Sequence, residues 1–170
     1  MPHHHERRAM PYRAEQMFDL VADVARYPEF LPWVVGARVR SDTALEDGGS
    51  VLVADLLVGF KGLRERFTSR VERRPAVAGQ PFPAIDVSYV DGPLSHLHNN
   101  WRFEPTEEGC VIDFTVDFQF RNAIFQRLAG QMFERALRKM IGAFEARALE
   151  LYGDGGAAPS SNSSSAIRAA

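Results

Sequence analysis

Cysteine occurs once in the 170 residues, as Cys110, so the chain has no internal disulfide framework and fits a reducing compartment. By itself Cys110 reads as a small buried hydrophobe opening a strand, not as a nucleophile. Long apolar runs are missing too. No stretch approaches the ~20 apolar residues with which a helix crosses a bilayer. Glu6, Arg7, Arg8, Arg13, Glu15, Asp19 and Asp23 break up residues 1–25, where an export signal would need an apolar run. The expected location is the cytoplasm. Charge of one sign is not in excess: a formal net charge of −2 and a pI near 6.2 give no general attraction to phosphate backbones. That sets DNA aside as a partner and leaves room only for local basic stripes.

Catalytic patterns are absent at the spacings that would identify them. No Ser or Cys stands with a His and a carboxylate in a recognisable nucleophile motif, and no glycine-rich phosphate loop precedes a helix. His3, His4 and His5 are adjacent, so their side chains diverge, and no Cys or carboxylate cluster completes a metal site around them. The expectation is a protein with no catalytic residues, no metal and no cofactor. The nearest candidates for acid–base work are Glu65 and His96. Strand alternation puts Glu65 on an apolar face, where a carboxylate is perturbed. A bulge at Gly62 that swings it outward, or a rim arginine that pairs with it, is the plainer account.

What is present in quantity is phenylalanine, twelve residues against four Tyr and two Trp, in a chain of single-domain length. Residues 3–10 make a candidate first strand. From Ala14 to Val24 the apolar positions Met17, Phe18, Leu20, Val21 and Val24 share one helical face. Pro28 and Pro32 then interrupt RYPEFLPW (26–33), whose aromatic residues would be an exposed patch unless folded inward. Between residues 34 and 120 the period is two, with turn markers that divide the stretch into about six strands. Cys110, Ile112, Phe114, Val116, Phe118 and Phe120 alternate with polar residues; so do Leu63, Phe67 and Val71, whose face also takes Glu65 and Ser69. Between residues 94 and 103, Leu94, His96, His98 and Asn100 fall opposite Leu97, Asn99, Trp101 and Phe103. Asn122 sits where a helix cap belongs, and helical spacing then runs to Tyr152 with an apolar arc that includes Phe125, Leu128, Met132, Phe133, Leu137, Met140, Ile141, Phe144 and Leu151.

The fold expected from this order is α+β: a curved antiparallel sheet of about seven strands gripping a long C-terminal helix, with two short helices after the first strand. Residues 1–152 form the domain, and 153–170, rich in Ser, Ala and Gly, read as a disordered tail. A strongly bent sheet touches such a helix only at its ends and leaves an apolar gap. The surplus of Phe and the wide helix arc fit a hollow interior and a filled one equally well.

Five segments carry a family resemblance: AEQMFDLVADVARYPEFLPW (14–33), VGFKGLRERFTSRV (58–71), YVDGPLSHLHNNWRF (89–103), CVIDFTVDFQFRN (110–122) and FEARALELYG (144–153). Together they resemble the coenzyme-Q-binding protein family of the START-like superfamily (polyketide cyclase, Bet v 1-like), whose bacterial members are also named ribosome association toxins. The resemblance implies a helix-grip fold whose cavity binds ubiquinone or a related polyprenyl quinone, as a carrier or chaperone for respiratory electron transfer and quinone synthesis. At positions matching the family's motifs the implied lining is Phe18, Tyr27, Leu31 and Trp33; Val58, Phe60 and Phe67; Tyr89, Leu94, Trp101 and Phe103; and Met132, Leu137 and Ile141. For each, ordinary core packing is an equal account. RYPEFLPW and residues 58–62 are the implied gate, with Lys61 and Arg64 near anionic headgroups and peripheral contact at the inner membrane. The family's other name adds an alternative, an inhibitor of subunit joining on the large ribosomal subunit, for which Arg64, Arg66 and Arg70 would supply a basic stripe. A cyclase or aromatase using Glu65 and His96 is the third reading.

Overall fold

Alternating side chains build seven strands, and one long amphipathic segment builds the helix they hold. The computed structural model describes residues 3–60, 62–77 and 82–153, without the side chains of Phe60 and Leu63. The tail expected to be disordered falls, from residue 154 onward, outside the described residues, as does Lys61. In chain order the elements are β1 (His3–Met10), α1 (Ala14–Ala22), a 3-10 turn (Val24–Glu29), β2 (Val34–Ala44), β3 (Ser50–Phe60), β4 (Leu63–Arg74), β5 (Ala84–Asp91), β6 (Leu94–Thr106), β7 (Gly109–Phe120) and α2 (Ala123–Tyr152). The strands form a single antiparallel sheet in the order β1-β7-β6-β5-β4-β3-β2. This is the expected α+β helix-grip architecture.

Pairing register decides which side chains share a face, because directly opposed residues on neighbouring strands point the same way. Between β3 and β4 the register runs unbroken from Ser50↔Arg73 to Phe60↔Leu63. Gly62 (φ 83) therefore makes the turn and no bulge follows it. Glu65 stays opposite Val58 on the concave face, half-buried, which corrects the outward placement preferred from the sequence. A shift does occur between Leu94 and His96 on β6. It uncouples Leu94 from the parity of His96, and Leu94 is buried where alternation had put it beside polar residues.

Backbone proximity sets one further requirement. At Gly109 (φ 150) an added Cβ would lie 2.2 Å from the Met10 carbonyl oxygen and 2.8 Å from the Tyr12 nitrogen, so β7 starts where only glycine passes beneath the link from β1 to α1.

The helix is capped as its sequence suggests. The Asn122 carboxamide accepts from the N–H groups of Ile124 (2.8 Å) and Phe125 (3.1 Å), and Gly153, at φ 76, donates its N–H to the Leu149 carbonyl at 2.8 Å. Its apolar arc is not buried along its whole length. Only Leu137, Phe144 and Ala148 are fully covered, and Leu128 and Leu151, expected inward, are 46% and 49% exposed. The sheet bends away from the first half of α2, which meets it only near its edge, Phe125 against Phe120, Phe133 against Phe118, and Gln126 Oε1 accepting from the Phe120 N–H at 2.7 Å. The second half is pinned instead: Arg147 pairs with Glu29 at 2.6 Å and lies over the Phe30 ring, and the Tyr152 hydroxyl donates to the Gln16 carbonyl at 3.0 Å.

Candidate functional site: an apolar cavity under the helix

The space left by that bend is a cavity of about 410 Å³ between the concave sheet and α2. Its closed end is walled by buried side chains, Val21, Val24, Leu31, Val71, Ile85 and Trp101. Phe114 and Phe144 join Trp101 there, with ring centroids 4.6 and 5.6 Å from the indole. Toward the other end the lining residues Trp33, Val58, Phe67, Leu97, Phe118 and Phe133 are all half-exposed. This gradient identifies the mouth, between the β2 start, the β3–β4 end and the first half of α2. Along β4 and β6 the lining follows strict alternation, Phe67, Ser69, Val71 and Leu97, Asn99, Trp101.

Polar groups in this wall are few and mostly occupied. The Tyr27 hydroxyl donates to the Val21 carbonyl at 2.5 Å, and burial raises its pKa well above that of a free phenol, so it stays neutral. Asn99 accepts from Trp101 Nε1 and donates through Nδ2 to the Thr115 carbonyl, both at 2.8 Å. The Ser69 hydroxyl makes no hydrogen bond among the described residues. Trp33 adopts φ 70, a conformation unusual for any residue but glycine, and its carbonyl accepts from the Gly59 N–H at 2.8 Å. That bond fixes the turn that delivers the indole to the mouth.

Of the residues implied as lining, Tyr27, Leu31, Trp33, Val58, Phe67, Trp101 and Leu137 are in the cavity wall. The rest are elsewhere. Phe103 is fully buried in the core, stacked on Trp101 (6.2 Å between centroids) and edge-on to Phe18 (5.9 Å), so both rings belong to the packing of α1 on the sheet. Tyr89 turns its hydroxyl to accept from the Leu94 N–H at 2.9 Å, which fastens the β5–β6 turn and explains both positions. Ile141 faces a separate small cavity of about 40 Å³ beside Glu6, Arg8 and Glu145. Met132 is half-buried outside the wall, and the Phe60 side chain is not among those described. The residues missed include Ala54, Val87, Phe114, Val116, Phe118 and Phe133. The alternation of β7 already put three of them on its dry face; β5 offered too short a pattern.

The polar candidates do not converge. Glu65 is on the concave face but outside the cavity wall, and His96 points to the convex side, 3.4 Å from Asp117. His98 likewise meets Asp86, and His5 meets Asp113. Arg70 pairs with Glu72 at 2.7 Å and Arg66 approaches Asp91 at 3.9 Å, so the proposed basic stripe keeps only Arg64 unpaired among the described residues. Cys110 is buried at the start of β7, and desolvation pushes its thiol up to about 11, which leaves it protonated and inert at neutral pH. Among the described residues no three His, Cys, Asp or Glu side chains gather to hold a metal ion, and no helix is long and apolar enough to cross a membrane.

A family model described as polyketide cyclase / dehydrase and lipid transport matches residues 10–145, and the chain belongs to that family. Among its relatives is the ribosome association toxin RatA of Rickettsia prowazekii, 35% identical over 144 residues that cover 85% of this chain and 94% of that protein. The mitochondrial coenzyme Q-binding protein COQ10 homolog B of Xenopus laevis is 33% identical over 153 residues, 87% of this chain and 58% of the other. The solution structure of the 18 kDa protein CC1736 from Caulobacter crescentus superposes with a TM-score of 0.72 at 36% identity, covering 91% of this chain and 100% of that one. The family description spans both catalysis and lipid carriage, so the fold does not choose between them.

Proposed function

We propose that the protein binds a polyprenyl quinone in the cavity and carries or presents it at a membrane surface, in support of respiratory electron transfer and quinone synthesis. The observation that carries this reading is the cavity itself: about 410 Å³, within the range of small-ligand sites, almost wholly apolar, closed at an aromatic end and open at the other. The relative named for coenzyme Q binding supports the choice of ligand. Each five-carbon isoprene unit contributes about 3–4 kcal/mol on burial before ordering costs, so a few units hold the molecule against water while a bilayer competes for it. Organic extraction of protein purified from its native host, followed by mass spectrometry, is expected to recover a polyprenyl quinone. Phe67→Lys puts a charge into the wall and is expected to abolish recovery with the circular dichroism spectrum unchanged. No lipid in the extract, together with no uptake of added quinone, would sink the reading.

The relatives named as ribosome association toxins favour a second function, association with the ribosome. Sedimentation of ribosomes with the protein at low and high salt tests it: co-migration at low salt supports it, and none removes it.

A further inference from the structure

Resting on the reading of the cavity as a quinone site, we propose that a planar ring with oxygen acceptors sits at the closed end, held by Asn99 and Ser69, with its apolar tail directed to the mouth. The orientation of Asn99 follows from its neighbours. The indole Nε1–H of Trp101 can only donate, so the Asn99 atom it meets at 2.8 Å is Oδ1. Nδ2 is then the atom that donates to the Thr115 carbonyl, and it carries a second hydrogen with no partner among the described residues. The Ser69 hydroxyl is likewise free to donate. Two donors with unused hydrogens in an otherwise apolar wall call for acceptors on the ligand, because a ligand that covered them without accepting would leave them buried and unpaired. A hydrocarbon tail offers none; a ring carbonyl does.

Depth and spacing agree with this placement. Asn99 lies two residues mouthward of buried Trp101, and Ser69 two residues mouthward of buried Val71, which is level with Asn99 across β5; Asn99 thus stands ~7 Å from the level of Trp101 and Ser69 a further ~7 Å toward the mouth. They flank β5 two residues out of step, Ser69 opposite Tyr89 and Asn99 opposite Val87, ~12 Å apart on a flat sheet and closer across a concave one, a span that one ring with acceptors on opposite edges bridges. Below them Trp101 and Phe114 present aromatic surfaces to a planar group.

The test compares two probes: a benzoquinone carrying a two-isoprene tail, and the ring-free hydrocarbon of that tail. Affinity is read by displacement of an apolar fluorescent dye from the cavity. Ser69→Ala and Asn99→Leu are each expected to weaken the quinone about tenfold and to change the hydrocarbon less than about twofold. Equal losses for both probes would mean that the two residues only shape the wall, and unchanged quinone affinity would mean that the ring sits elsewhere; either result overturns the placement and leaves the binding function standing. If the unaltered protein takes up neither probe, the quinone reading and this placement fail together.

Discussion

Asp55 and Thr68 are the only buried charged or polar side chains among the described residues, and they are each other's partners. Thr68 Oγ1 donates to Asp55 Oδ1 at 2.5 Å and Arg40 Nε donates to Oδ2 at 2.9 Å. The Thr68 hydroxyl, and after it Arg40, hold the Asp55 carboxyl below the usual carboxylate range. Thr68→Val keeps the shape and removes the donor, so urea unfolding at pH 7 is expected to show a loss of about 1–3 kcal/mol. The sign with pH follows from the lowered value. The unfolded chain takes up the proton first as pH falls, so this stabilisation is full above the ordinary carboxylate range and fades below it. The gap between the variant and the parent should therefore close in acid; a variant as stable as the parent at pH 7 would show that the hydroxyl contributes nothing. The sequence suggested none of this trio, because Asp55 and Thr68 occupy the convex face, where polar residues are expected to be wet. Alternation was a sound guide at Glu65 and Ser69, where β3 and β4 pair without interruption, and failed at Leu94, where a register shift intervenes.

At the scale of elements the first half of α2 is the conspicuous one. Ile124, Arg127, Leu128, Gln131, Arg135 and Arg138 recur at helical spacing on its outer side, and all are exposed. Among the described residues, none of Arg127, Arg135, Arg138 and Lys139 forms an ion pair. The mouth opens beside this half-helix, through Phe133 and Phe118. Under the carrier reading, its aliphatic side chains enter a bilayer surface and its cations meet anionic headgroups. Flotation with vesicles of neutral and of partly anionic lipid is the measurement. Binding should require the anionic lipid and weaken with salt, and joint replacement of Arg127, Arg135 and Arg138 by Glu should reduce it by about 100-fold or more at low salt. Equal binding to neutral vesicles would rule this surface out. The helix, its cap and its end were legible in Asn122, the 3.6-residue period and Gly153. That half of its apolar arc stays uncovered was not, since it depends on the curvature of a sheet formed from residues far away in sequence.

For the molecule as a whole, the approximate number of strands and the class could be read from turn markers and alternation, whereas the place of β1 beside β7 and the hollow interior could not. The same phenylalanines would fill a flat-sheet core; here Phe103 and Phe18 do so, while Phe67, Phe118 and Phe133 border empty space. What separates the two groups is their distance from α1, which closes one end of the grip and is absent from the other.

The position of β1 has a consequence for synthesis. Among the described residues its only sheet neighbour is β7, and His3 waits for Asp117, 114 positions later. At 5–20 residues per second the ribosome takes roughly 6–23 s to supply that partner. Throughout that interval the earliest strand is an open edge able to template pairing with other nascent chains. Its composition meets the hazard: His3, His5 and Arg7 on one side and His4, Glu6 and Arg8 on the other leave no dry face to offer a stranger. The same groups become fasteners once β7 and then α2 arrive, as Arg7 reaches Asp113 and Glu104 and Arg8 reaches Glu145 on α2. Charge on this ribbon thus serves first as a guard against aggregation and afterwards as the seam that shuts the fold.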